Sequence, residues 1–86
     1  MISMRLSEVA HNIDGVLSGM DTVFAGVSID SRSIHSGNLF VAIKGERMDG
    51  HAFLSTVDAK KAAGAIVDTK VNDTDLPQIK VDNTLN

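Results

Sequence analysis

Five consecutive apolar residues, LFVAI at positions 39–43, constrain the fold of this chain more than any other segment. The run is too short for a helix, and Gly37 and Asn38 precede it while Lys44 and Gly45 follow it. Such a run predicts a strand that is buried on both faces, inside a sheet covered by helices. We therefore expect an α/β fold, with a small mixed or mostly parallel sheet and flanking helices.

The segments before this run predict one helix and two strands. The helix is expected to have Ser7 as its N-cap and to end at Gly15 in a left-handed conformation. Segment 16–19 predicts a short strand, and segment 22–29 predicts a second strand because its apolar residues alternate.

The segments after the run predict a second helix and two further strands. Asp49 is expected to cap a helix that begins near His51 and stops at Gly64. Strands are expected at residues 65–67 and 78–81. A strand, a helix and a strand in this order make parallel pairing the default.

Composition excludes several classes of function. With 86 residues the chain is expected to form one small domain. A net charge of -3 argues against nucleic-acid and anionic-membrane partners, and no apolar run approaches the roughly 20 residues that span a bilayer. There is no cysteine, and His11, His35 and His51 lack metal-ligand spacing, so we expect no metal site.

Two polar loops, residues 30–33 and 44–50, flank the central strand. Loops at the ends of buried strands are where α/β proteins bind ligands. These two combine hydroxyl, guanidinium and ammonium groups with glycines that let backbone N–H groups approach an anion. The pattern predicts that an oxyanion, with phosphate as the first choice, is held between the loops. Simpler interpretations stay open: Asp30 as a turn residue, Arg32 in a surface ion pair and His51 in a structural role.

Four motifs in a fixed order carry a family resemblance: IDSR at 29–32, SGNLFVAIKG at 36–45, DGHAF at 49–53 and GAIV at 64–67. The chain resembles the N-terminal domain of the Mur ligases, ATP-dependent amide-forming enzymes of peptidoglycan synthesis and hence of cell-wall biogenesis, cell shape and cell division. KGERMDGHAF and LPQIKVDNTL are most similar to the type that adds D-alanyl-D-alanine to UDP-N-acetylmuramoyl-tripeptide (MurF type). The type that adds the third stem-peptide residue (MurE type) and a free-standing small α/β binding module remain alternatives.

The resemblance implies a division of labour within a longer protein. Residues 1–86 would be the N-terminal domain of a three-domain ligase and would bind the UDP end of a UDP-N-acetylmuramoyl peptide. ATP, Mg²⁺ and the catalytic residues would belong to the other domains in cis, because this chain has no phosphate loop. We therefore expect no catalytic residue, cofactor or metal here, no activity from these residues alone, and a monomeric, cytoplasmic enzyme.

The resemblance also assigns residues to the UDP site. Ser31 would bond the ribose or the diphosphate, and the backbone of residues 46–48 would contact the edge of the uracil. Arg32 and Lys44 are the cations expected to meet the phosphates, and Arg32 should matter more than Lys60, which is expected on the outer side of the second helix. The full expected set is Ile29, Ser31, Arg32, Lys44, Gly45, Glu46, Arg47 and Met48, with Asp49, Gly50 and His51 as secondary candidates.

Overall fold

The computed structural model describes residues 3–43, 49–72 and 74–82. Within these ranges the chain forms short strands and two helices, which confirms the predicted α/β class. A 3₁₀ turn, Gly50–Phe53, leads directly into the second helix. In chain order the elements are β1 (Ser3–Arg5), α1 (Leu6–Asn12), β2 (Val16–Ser18), β3 (Val23–Ala25), β4 (Val27–Ser28), β5 (Leu39–Val41), α2 (Leu54–Ala59), β6 (Gly64–Val67) and β7 (Gln78–Lys80).

The main sheet has five strands in the order β2-β7-β6-β5-β4. Strands β4, β5, β6 and β7 pair in parallel, and β2 pairs antiparallel with β7 at one edge. Strand β5 lies between β4 and β6, where Phe40 is opposite Ser28 on one side and Ala65 on the other. The prediction of an interior strand at this position is confirmed, and so is parallel pairing across α2.

The central strand is buried on both of its faces. Its adjacent residues Leu39 and Phe40 are each 1% exposed, yet they belong to two different apolar clusters. One cluster contains residues of α2 and the other contains residues of α1, so the two helices cover opposite faces of the sheet. The α2 cluster is Ile34, Phe40, Ala42, Leu54, Val57, Ala65, Val67 and Leu76, and the α1 cluster is Leu6, Ala10, Phe24, Leu39, Ala63 and Ile79.

The prediction of one strand over residues 22–29 is wrong. Gly26 has φ 81°, a left-handed conformation that interrupts an extended chain, and it separates β3 from β4. The two halves join different sheets, because β3 pairs antiparallel with β1, a strand that the sequence interpretation missed. Phe24 supplies the buried side chain of β3, whereas Val27 and Ile29 are 61% and 65% exposed.

The start of α1 is stabilised from a distance and not by its own serine. The helix begins at Leu6, so Ser7 lies inside its first turn and is not the N-cap. Asp21 accepts hydrogen bonds from the Ser7 N–H at 3.0 Å and from the Ser7 hydroxyl at 2.7 Å. These bonds satisfy a first-turn N–H that a local cap would otherwise serve. They hold the pKa of Asp21 below its usual value, with the hydroxyl bond as the largest cause.

Both glycines that were expected to end helices have other roles. Asp14, with φ 56°, provides the left-handed residue after α1, and Gly15 follows it in close contact with Ile79 and the Lys80 carbonyl, where a side chain would not fit. Lys61, with φ 67°, does the same after α2, and Gly64 is the first residue of β6. Aspartate tolerates the left-handed region better than most side chains, so a glycine is not required after α1.

The segment between β6 and β7 is anchored by a buried amide side chain. Gln78 is 2% exposed, and its Oε1 accepts from the Val71 N–H at 2.8 Å while its Nε2 donates to the Val71 carbonyl at 2.7 Å. Leu76 from the same segment is buried in the α2 cluster. The segment is therefore packed at both ends. Neither helix in the described ranges has the length or the apolar character needed to cross a bilayer.

Candidate functional site

A cleft of about 430 Å³ opens beside the carboxyl ends of β4 and β5. This edge of a parallel sheet is the usual ligand-binding position in α/β proteins, and the volume lies within the range of small-molecule sites. Apolar side chains form much of its wall, and the polar turn after β4 forms one rim. The lining residues are Ile29, Asp30, Ser31, Arg32, Phe40, Ile43, Gly50 and Phe53.

The turn after β4 is shaped by Asp30. Its Oδ1 accepts from the Arg32 N–H at 2.9 Å and from the Arg32 Nε at 3.3 Å, and the Ser28 hydroxyl accepts from the Asp30 N–H. The backbone bond from Arg32, followed by the side-chain bond, holds the pKa of Asp30 below its usual value. Asp30 therefore has the turn-forming role that the sequence indicated for it.

Arg32 and Ser31 occupy the polar rim of the cleft. The Arg32 side chain is 88% exposed, and its guanidinium is paired with Asp30. Such an exposed pair contributes little to stability, and the guanidinium can exchange one anion for another at small cost. Ser31 is partly buried in the same cleft, beside Gly50 and Phe53. The predicted neighbours Ile29, Ser31, Arg32 and Gly50 are thus brought together.

Lys60 also reaches this rim, contrary to the sequence interpretation. Its Nζ donates to the backbone carbonyls of Ser31 at 2.9 Å and of Arg32 at 3.0 Å. Lys60 is the C-terminal cap residue of α2, so the contact joins segments that are 28 and 29 residues apart. Lys60 therefore cannot serve as a neutral comparison for Arg32, because it holds the same turn.

Of the second predicted loop, residues 44–50, the structure describes Asp49 and Gly50. Lys44, Gly45, Glu46, Arg47 and Met48 lie outside the described residues, so their expected contacts with UDP stay predictions. The Gly50 N–H donates to the Ile43 carbonyl at 2.8 Å, which joins the two ends of the loop beside the cleft. Gly50 lies against the backbone of Ala42 and Ile43, so it places the chain close to the end of β5.

Asp49 and His51 face a neighbouring cavity instead of the cleft. This cavity is lined by Asp49, His51, Asp68, Thr69, Val71 and Asp82. Asp49 caps the 3₁₀ turn by accepting from the His51 N–H at 3.0 Å, which confirms its predicted capping role.

The His51 ring bridges two elements that follow neighbouring strands. Its Nδ1 lies 2.6 Å from Asp49 Oδ1, and its Nε2 lies 2.9 Å from Asp68 Oδ1 and 3.1 Å from the Asp68 backbone nitrogen. The ring is only 10% exposed. Asp68 follows β6, so His51 fixes the 3₁₀ turn to that strand, which is the structural role that the sequence left open.

Three apolar residues of the cleft were not singled out as site residues from the sequence. Phe40 and Ile43 come from the central run, and Phe53 comes from the 3₁₀ turn. Their positions in the sequence could have predicted this, because residues at the carboxyl end of a buried parallel strand and in the following turn border the ligand-binding edge of the sheet. The apolar run nevertheless predicts that Phe40 is a core residue, and Phe40 does belong to the α2 cluster.

The described residues do not fit a metal site. Among them, no three His, Cys, Asp or Glu side chains are grouped so that they could hold an ion. Among the described residues that line the cleft, Asp30 is the one carboxylate, and it already accepts two bonds from Arg32. The site is therefore suited to binding a ligand through apolar, hydroxyl and cationic groups.

Comparison with known protein families gives the identity of the fold. The family described as "Mur ligase family, catalytic domain" matches residues 23–83. The chain belongs to the Mur ligase family. The matched residues include the whole turn after β4, the central strand and α2, and thus every element that lines the cleft.

Curated Mur ligases of two types are similar to the chain. It is 42% identical over 84 residues to the UDP-N-acetylmuramoyl-tripeptide--D-alanyl-D-alanine ligase of Escherichia coli, which covers 98% of this chain and 18% of that protein. It is 39% identical over 66 residues to the UDP-N-acetylmuramoyl-L-alanyl-D-glutamate--2,6-diaminopimelate ligase of Bacteroides fragilis, covering 74% and 13% respectively. The chain thus spans about a fifth or less of the length of these relatives.

Solved Mur ligase structures share the fold. A crystal structure of MurF from Acinetobacter baumannii superposes with a TM-score of 0.86 at 29% identity, and the match covers 98% of this chain and 19% of that one. MurF ligase from Thermotoga maritima, solved in complex with ADP, matches 70% of this chain and 14% of its own with a TM-score of 0.62 at 28% identity. The resemblance noted in the sequence is confirmed at the level of the family, and its members are ligases of peptidoglycan synthesis.

Proposed function

We propose that this chain is the N-terminal substrate-recognition domain of a three-domain peptidoglycan ligase and that its cleft binds the UDP end of a UDP-N-acetylmuramoyl peptide. The observation that carries the proposal is the composition of the cleft, which combines an apolar wall with a hydroxyl and a guanidinium on one rim. An apolar wall suits a planar base, and the polar rim suits a ribose and a diphosphate.

The roles follow from the geometry of the described residues. Ile43 and Phe53, which are partly buried, provide apolar surface for the uracil, and the buried Phe40 supports this wall from the core. Ser31 offers a hydroxyl to the ribose or the diphosphate. The Arg32 guanidinium leaves Asp30 to pair with a phosphate, for which its planar fork is well shaped. Lys44 and the segment 45–48 would complete the site from the side that the structure does not describe.

The amide bond would be formed elsewhere in the enzyme. We propose that ATP and Mg²⁺ bind to other domains of the same polypeptide, and that the residues described here orient the substrate without reacting. The proposal includes a cytoplasmic enzyme, because both ATP and the nucleotide precursor are cytoplasmic substrates, and it keeps the monomer expected from the resemblance. The 86 residues alone are expected to bind UDP and to show no ligase activity.

The D-alanyl-D-alanine-adding activity is our first choice, and the diaminopimelate-adding activity is the second. The relative from Escherichia coli and the structural match from Acinetobacter baumannii, each matching 98% of the chain, favour the first. The relative from Bacteroides fragilis keeps the second in consideration. Supplying the ligase that contains this chain with each amine and its matching UDP-N-acetylmuramoyl peptide, and detecting the product by mass, would decide between them.

Titration of the ¹⁵N-labelled chain with UDP tests the binding proposal directly. The amides of Ser31, Arg32, Gly50 and Phe53 should shift, and ADP should produce smaller changes because its base is larger. Arg32→Ala should weaken UDP binding about fivefold, since an exposed charged hydrogen bond contributes about 1 kcal/mol.

Lys70→Ala is the matched control for this substitution, because it removes an exposed cation that does not line the cleft. It should leave the dissociation constant for UDP unchanged. Shifts confined to residues outside the cleft, or equal losses from the two substitutions, would contradict the proposal.

A further inference from the structure

The turn that carries Ser31 and Arg32 has little support from the sheet. Strand β4 has two paired residues and lies at the edge of the sheet, so the chain leaves the sheet at Ser28. Within the turn, the bonds from Asp30 to the Arg32 N–H and Nε fix the local shape, but they span only two residues. Local bonds of this kind define the form of a turn and leave its position relative to the rest of the protein open.

Ile34, which follows the turn, is buried in the α2 cluster, and Lys60 supplies the long-range hydrogen bonds of the turn itself. Among the hydrogen bonds of the described residues, its two bonds are the ones that tie Ser31 and Arg32 to a distant part of the chain. Both acceptors are successive backbone carbonyls, at 2.9 Å and 3.0 Å from one ammonium nitrogen. In a trans peptide the C=O and the N–H point in opposite directions. When a carbonyl points toward the Lys60 ammonium, the N–H of the same peptide unit therefore points away from it. The contact therefore fixes the orientation of two peptide planes at the rim of the cleft.

The base of Lys60 is itself firmly placed. Its backbone N–H closes the last turn of α2 on the carbonyls of Thr56 and Val57, and Val57 is fully buried in the α2 cluster. The ammonium is thus held on a packed helix end, although the side chain is exposed.

We propose that Lys60 is a positioning residue for nucleotide binding, which holds the turn of Ser31 and Arg32 in its binding position without contacting the nucleotide. This inference rests on the proposed function, because the turn matters only if the cleft binds a ligand. Holding the turn in place before binding lowers the cost of ordering it when the ligand arrives.

The test compares Lys60→Met, which keeps an apolar stem but removes the ammonium, with Lys60→Arg, which keeps a cation and its N–H donors. Lys70→Met is the matched control. Lys60→Met should weaken UDP binding roughly tenfold, Lys60→Arg should stay within about twofold of the parent chain, and Lys70→Met should have no effect. Tenfold corresponds to about 1.4 kcal/mol.

Two further measurements separate positioning from general stability and from charge. Amide relaxation of residues 31–33 in the free chain should show greater mobility in Lys60→Met, while its midpoint of urea unfolding stays close to that of the parent. The loss of affinity should persist at high salt, which screens an exposed charge but does not restore the two bonds.

Unchanged mobility and unchanged UDP affinity in Lys60→Met would overturn the inference. It would also be overturned if high salt abolished the difference from the parent, because Lys60 would then act through its charge alone. If the parent chain itself fails to bind UDP, the proposed function fails, and the relaxation data on the free chain still decide whether Lys60 holds the turn.

Discussion

Gln78 offers a sharp test of what stabilises this small fold. Replacing it with Met keeps a side chain of similar length and volume but removes both hydrogen bonds to Val71. A net contribution of about 1 kcal/mol for each bond gives an expected loss of about 2 kcal/mol. The loss rises toward about 4 kcal/mol if water cannot reach the abandoned Val71 N–H and carbonyl, since each unpaired buried group costs about 2 kcal/mol, the middle of the usual range of about 1 to 3 kcal/mol.

Urea unfolding followed by far-ultraviolet circular dichroism is the suitable assay, because the chain has no Trp or Tyr to report by fluorescence. For a domain of this size, a loss of 2 kcal/mol corresponds to a fall in the melting temperature of roughly 8 to 16 °C. Lys80→Met is the control, because it introduces the same side chain at an exposed position of the same strand.

Hydrogen exchange gives the local readout for the same variant. The Val71 amide should exchange faster in Gln78→Met than in the parent, by more than the change in global stability accounts for. A loss below 0.5 kcal/mol, or an unchanged Val71 amide, would refute the reasoning that the buried amide anchors this segment.

Two further predictions concern other long-range contacts. The pKa of Asp21 is lowered in the folded chain, so its contribution to stability is present above the unfolded value of about 3.9 and is lost as the pH falls through the lower folded value. Asp21→Asn should therefore differ from the parent in urea midpoint at neutral pH, and this difference should shrink below about pH 4. A constant difference at all pH values would contradict the assignment, and the exposed Asp75→Asn should show no such trend. His51→Ala should cost about 2 kcal/mol in urea unfolding because it removes the hydrogen bonds of the buried ring to Asp49 and Asp68. The exposed His35→Ala should cost less than 0.5 kcal/mol, and equal costs would exclude the bridging role.

Local sequence signals predicted the interior of the fold well. The run at 39–43 has few alternatives to a buried strand, and the segments 65–67 and 78–81 predicted two further parallel strands of the same sheet within one residue at each end. Asp49 was recognised as a cap because an Asx cap acts over only two residues. In each case the sequence alone contains the physical cause.

The errors fall where a distant residue determines the local structure. Ser7 has the right chemistry for an N-cap, but the acceptor for the first turn comes from Asp21, fourteen residues away. Segment 22–29 alternates like one strand, but the left-handed Gly26 divides it between two sheets. Hydrophobic periodicity predicts neither the Asp21 contact nor the division of segment 22–29, because both depend on how the N-terminal segment folds back on the sheet.

The candidate site shows the same limit more clearly. Parallel topology brings the turn after β4 beside the end of β5, so Ser31 and Gly50 could be paired from the order of the strands. Lys60 could not be placed there, because helical periodicity assigned it to the solvent side of α2. Lys60 is indeed exposed, but it also contacts the turn after β4. This is possible because the four-carbon stem lets an exposed lysine reach across a surface.

The division between these two kinds of contact suggests that folding and binding are separable in this chain. The sheet, the two apolar clusters and Gln78 stabilise elements outside residues 30–33, and the α2 cluster reaches this segment at the neighbouring Ile34. That turn extends from a two-residue edge strand and is tied to α2 by a lysine whose bonds are exposed to solvent. Gln78→Met should therefore lower the free energy of unfolding with little change in UDP affinity, and Lys60→Met should do the reverse. Loss of both properties in either variant would show that the turn and the core form one cooperative unit.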